Sequence, residues 1–144
     1  MIIKNKITCI FKKIIDDYNL KVMDISENEL ALEGNVYILS FLYHSSELEL
    51  VYIEKRNDGQ IYQYNIDSFI AKSITDDDRK MIRENIGYTS GVEFELALVA
   101  NTLQKRFTDL LLGGSAWIEQ YKKFELYISG RNITELKGKV YKNG

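Results

Sequence analysis

The chain opens with Ile7, Ile10, Phe11, Ile14, Ile15 and Tyr18 three or four residues apart, the spacing of one apolar helix face. This predicts an amphipathic helix over residues 5–18, with Lys12, Lys13, Asp16 and Asp17 outside, Asn5 as N-cap and Asn19 as the stop. From Leu20 the period falls to two, as a half-buried strand requires. Residues 21–25 and 29–33 are short strand candidates parted by Ser26, Glu27 and Asn28. Glu33, Gly34 and Asn35 then turn the chain into residues 36–44, rich in aromatic and β-branched side chains. Leu48, Leu50 and Tyr52 alternate with Glu47, Glu49 and Val51, which suits one buried and one wetter face. Asn57, Asp58 and Gly59 form a hairpin turn, because Asp and Gly tolerate the positive φ of tight turns, and residues 61–66 return as the next strand.

Helices then resume. Asp67 can cap a short segment through Lys72, and Thr75 with Asp78 opens a helix over 76–86 closed by Gly87. Ser90 with Glu93 is a full capping box, followed by Val92, Leu96, Val99, Ala100, Leu103 and Phe107 on one stripe. Gly113 and Gly114 break the chain, and Ser115 can cap a last helix holding Trp117, Ile118 and Tyr121. Residues 125–144 add an edge strand or lie as a loose tail. The order predicts a single α+β domain over 1–144: an N-terminal helix, an antiparallel four- to five-stranded meander, and C-terminal helices packed on one face.

Composition agrees with an ordinary soluble domain: 144 residues, 45% hydrophobic and 28% charged. Such a chain buries roughly 70% of its unfolded surface. The longest uncharged stretch near the start, residues 7–11, is too short for a secretory signal, and no run spans a bilayer, so a cytoplasmic chain without a membrane partner is expected. The net charge of −2 conceals an acidic body between lysine-rich ends, since residues 1–13 carry four lysines and no acid. Nucleic acid is disfavoured as a partner, because the acidic body opposes phosphate and no reader motif is present.

Little catalytic chemistry is on offer. One cysteine, Cys9, and one histidine, His44, fall short of the four ligands of a structural zinc site. Cys9 reads as a small buried hydrophobe and His44 as a turn residue. No Gly-x-Ser-x-Gly or phosphate-loop pattern occurs. Asp76, Asp77 and Asp78 suit the positive end of a helix dipole. No enzyme, metal or cofactor is expected. The remaining signal is aromatic and acidic: Tyr37, Tyr43, Tyr52, Tyr62 and Tyr64 in the meander, among Glu47, Glu49, Glu54 and Asp58. Tyrosine brings large contact area with a polar tip, so these nine residues are the candidate partner-binding face.

The order of helix, acidic tyrosine-rich meander and capped helices, with the run from Phe107 through Gly113 and Gly114 to Trp117 and Tyr121 (FTDLLLGGSAWIEQY), resembles small bacterial immunity proteins of polymorphic-toxin systems. The resemblance implies a cytoplasmic, non-enzymatic inhibitor that binds a cognate toxin domain, often a basic nuclease. It carries over no catalytic residue. The basic tail departs from what an acidic mimic of nucleic acid needs. The alternative is a small structural protein that self-associates, as a homodimer, through an aromatic sheet face.

Overall fold

The structure, a computed structural model, describes residues 2–44, 47–89, 91–123 and 131–132. Helix α1 (Ile2–Ile10) and helix α2 (Lys12–Asp17) are nearly one helix, interrupted only at Phe11. Hydrogen bonds run on across that residue, from Phe11 N–H to the Ile7 carbonyl and from Ile15 N–H to the Phe11 carbonyl, both at 2.9 Å. Helix α1 starts earlier than the sequence suggests, so Asn5 lies inside it and is no cap. The apolar stripe in fact begins at Ile3, which is buried with Ile7, Phe11 and Ile14. Asn19, at φ 52°, ends the helical region as its residue type favours.

Five strands follow: β1 (Lys21–Ser26), β2 (Glu29–Glu33), β3 (Tyr37–His44), β4 (Glu47–Lys55) and β5 (Ile61–Asn65). Each pairs antiparallel with the next, the meander that the turn residues call for. A two-residue strand β6 (Arg131–Asn132) pairs antiparallel with β5. The rest of the 125–144 segment lies outside the described residues.

Beyond the sheet come α3 (Asp67–Lys72), α4 (Asp76–Met81), a π-helical turn (Ile82–Ile86), α5 (Gly91–Arg106), α6 (Thr108–Leu111) and α7 (Ala116–Lys122). The fold is α+β, with helices before and after an antiparallel sheet. One large core lies between the helices and the sheet face carrying Leu30, Leu32, Leu39, Phe41, Leu50 and Tyr52. It is completed by Phe11 and Ile14 of α2's start, Leu96 and Leu103 of α5, and Trp117 and Tyr121 of α7.

The opposite sheet face departs from the simple alternation. Ala31, Ile38, Val51, Ile53 and Ile61 form a second cluster, each no more than 1% exposed. That face is wet only towards its ends, where Glu47 and His44 are exposed. The Ser40 hydroxyl, fully buried on the same face, donates to the Glu29 carboxylate at 2.7 Å.

Helix α4 begins with the reciprocal cap that Thr75 and Asp78 foreshadow. Asp78 N–H donates to the Thr75 hydroxyl at 3.1 Å, and Thr75 N–H to the Asp78 carboxylate at 2.9 Å. The same carboxylate, fully buried, receives Arg106 at 2.9 Å and Lys105 at 3.1 Å from the end of α5. Burial works to raise the Asp78 carboxyl. The Thr75 amide, Arg106 and Lys105 outweigh it and hold the group well below the usual carboxylate range.

Of the two other expected caps, one lies outside the described residues and one takes another form. Ser90 lies outside the described residues, and its partner Glu93 pairs with Lys6, tying α1 to α5. Ser115 makes no side-chain cap for α7; instead Trp117 N–H donates to the Asp109 carboxylate at 3.0 Å. The turn before α7 requires glycine at 113, where φ is 82° and an added Cβ would sit 2.5 Å from Val36 Cγ2. Gly113→Ala is expected to lower unfolding free energy by about 1–3 kcal/mol, read by urea denaturation. Wild-type stability in that variant would show that the turn relaxes without strain.

Candidate functional site

The structure does not gather the nine candidate residues onto one surface. Tyr37, Tyr52 and Tyr64 point into the helix-facing core and are buried, at 3%, 2% and 7% exposure. Tyr37 stacks on Tyr52 with ring centroids 5.3 Å apart, and its hydroxyl donates to the Leu111 carbonyl at 2.8 Å. Burial pushes the Tyr37 phenol up to about 12, and Tyr52 rises too, from burial first and the Glu54 charge second. Tyr52 and Tyr64 close around Trp117, with centroids at 4.7 and 5.9 Å. These three tyrosines are therefore structural, not binding anchors. The physical reason is that α6 and α7 cover this face of β3, β4 and β5. The aromatic sheet face offered for self-association is interior for the same reason.

The remaining six residues divide between the two ends of the sheet. From Glu47 to Glu54 is seven residues of strand, about 23 Å. At one end Glu54 accepts from Arg56 Nε at 2.6 Å, and the Arg56 guanidinium lies 3.5 Å above the half-buried Tyr62 ring. Asp58 sits in the hairpin turn with its carboxylate accepting from Gln60 N–H at 2.9 Å. This end satisfies itself.

The other end is different. There β3 and β4 meet in the pairs Leu42 with Glu49, Tyr43 with Leu48, and His44 with Glu47. Tyr43 is half-buried, Glu47 exposed and Glu49 half-buried. His44 Nε2 lies 3.7 Å from the Glu49 carboxylate. Beside this hairpin, between the sheet, α3 and α5, is a cleft of about 260 Å³ with mostly aliphatic walls. Asp67 and Glu95 stand among its lining residues, which include no Lys or Arg among those described. Burial raises the Asp67 carboxyl, and the neighbouring Glu49 charge adds to the shift. Asp67 and Glu95 thus bring negative charge to an apolar opening, with the Glu49 charge felt at Asp67. Asp67 and Glu95 were not among the sequence candidates. Asp67 read as a helix start and Glu95 drew no reading, and only the tertiary fold brings them to β4.

No protein-family model matches this chain, and neither a curated protein nor a solved structure matches it. The chemistry must therefore be argued from the molecule. Cys9 is exposed, a correction to its expected burial: it sits on α1 beside the stripe, on a groove of about 300 Å³ shared with the π turn and α5. Among the described residues no group of three or more His, Cys, Asp or Glu could hold a metal ion. No helix among them is long and apolar enough to cross a membrane.

Proposed function

We propose that this chain is a non-catalytic protein-binding module, an immunity-type inhibitor that occludes a basic toxin domain in the cytoplasm. The observation that supports it is the hairpin end of the sheet, where Glu47 and Glu49 of β4 stand near an apolar cleft whose lining carries Asp67 and Glu95. Acidic rims around apolar centres suit a basic protein surface, since charge complementarity speeds encounter and fixes orientation while the apolar centre supplies affinity. The interface is then the hairpin end, with Tyr43 as its aromatic contact, rather than the tyrosine face of the whole meander.

The test compares wild type with Glu47→Gln/Glu49→Gln/Glu95→Gln, and with Glu54→Gln at the self-satisfied end as control. A partner recovered from the source cell by the wild-type chain is expected to lose about tenfold or more in affinity for the triple variant, with a flatter salt dependence. The control is expected to bind as wild type, and added chain to inhibit the partner's activity. Equal affinity and salt slope for all three proteins would remove the acidic end as the interface.

A further inference from the structure

The walls and charges of the hairpin-end cleft select a particular occupant. Its volume of about 260 Å³ falls below the usual range of about 300–1,000 Å³ for whole small-molecule sites, and suits a single inserted side chain. Leu48 and Leu50 of β4 and Leu96 and Val99 of α5 give it aliphatic walls. Several surface carboxylates are matched: Asp16 and Asp17 pair with Lys12 and Lys13, Asp24 with Lys4, Glu33 with Lys55, and Glu119 with Lys122. Asp67 and Glu95 have no cationic partner among the described residues. An apolar cleft with unmatched carboxylates is complementary to a long apolar stem ending in a cation. Between the two cationic side chains, the linear methylene stem and compact ammonium of lysine suit aliphatic walls with two separate carboxylates, one on α3 and one on α5, better than a planar guanidinium, which needs a flat two-pronged acceptor.

We propose that the cleft receives a lysine side chain of the protein partner, its methylenes along Leu48, Leu50 and Val99 and its ammonium at Asp67 and Glu95. This rests on the protein-binding reading above and adds the chemical identity of the anchor.

The first probe is n-pentylammonium chloride, titrated against the full chain by amide NMR beside 1-pentanol, which has the same stem and no charge. Pentylammonium is expected to shift the Leu50, Asp67, Ala71 and Val99 amides and to bind about fivefold more tightly than pentanol. Asp67→Asn/Glu95→Gln should bring the amine down to the level of the alcohol. Ala71→Leu, at an exposed helical position on the cleft wall, should block both while the spectrum stays folded. A capped Gly-Lys-Gly tripeptide should reproduce the amine's shifts. Equal binding of amine and alcohol, shifts elsewhere on the chain, or binding that survives Ala71→Leu would overturn the assignment. Amine binding without tripeptide binding would overturn it too, in favour of a free amine. None of these titrations involves a partner. Their failure beside a retained partner removes the lysine anchor alone, whereas successful titrations beside a chain that inhibits no partner remove the protein-binding reading.

Discussion

Replacing Asp78 by alanine is expected to lower unfolding free energy by about 2–4 kcal/mol. The carboxylate closes the α4 capping box with Thr75 and, from a fully buried position, receives Arg106 and Lys105 of α5. Both cations are partly solvated, at 32% and 53% side-chain exposure, so after the substitution they return to water. The loss is therefore smaller than for a wholly buried ion pair. Asp78→Asn keeps an acceptor for the Thr75 amide and should lose about half as much. The pH dependence has a definite sign. The folded carboxyl is held below its unfolded value, so its stabilisation is complete above about pH 4 and is lost as pH falls further. Urea denaturation at pH 7 and pH 3 should show wild type losing more stability than Asp78→Asn over that interval. Equal losses would mean that other carboxylates govern the acid response.

Trp117→Ala should cost about 3–5 kcal/mol, a large share of the roughly 5–15 kcal/mol that holds a domain of this size. Trp117 is 2% exposed, with ring centroids 4.7 Å from Tyr52, 5.9 Å from Tyr64 and Tyr121, and 6.3 Å from Phe69. Alanine would leave a cavity lined by rigid rings that cannot collapse into it. Trp117→Phe keeps a ring in the same place and should cost about 1–2 kcal/mol. Far-UV circular dichroism in urea reads both, independently of the lost indole. A wild-type midpoint for Trp117→Ala would show that α7 is peripheral to the fold.

Much of the architecture is legible in the sequence because it is written in local periods. The stripe Ile7, Phe11, Ile14 makes the first helical region, Asp58 and Gly59 make the hairpin turn, and Gly87 at φ 93° closes the π turn after α4. The misses are tertiary. Val51 and Ile53 are buried on a face that alternation with Glu47 and Glu49 marks as wet, because a strand's period says which residues share a face and not what lies against it. Tyr37, Tyr52 and Tyr64 are chemically suited to a binding surface. Their burial follows from α6 and α7 folding back over the sheet, which no spacing within the meander encodes. Asp67 and Glu95 are separated in sequence by the rest of α3, by α4 and the π turn, and by the first turn of α5, and only the packing of α3 and α5 beside β4 brings them to one opening. Ser115 lost its expected role to Asp109, which competes for the same amide from another helix.

The strictly sequential order of the strands also sets a schedule for the growing chain. Every strand from β2 to β5 finds a hydrogen-bond partner in the strand made just before it, so the sheet can assemble from local closures as it is synthesised. Its aromatic face gains α7 only about 60 residues after β5 is complete. At roughly 5–20 residues per second, that leaves Tyr37, Tyr52 and Tyr64 in water for about 3–12 s on each nascent molecule. The face that is best shielded in the finished protein is thus the one most open to chaperones, and to other nascent chains, while the protein is being made.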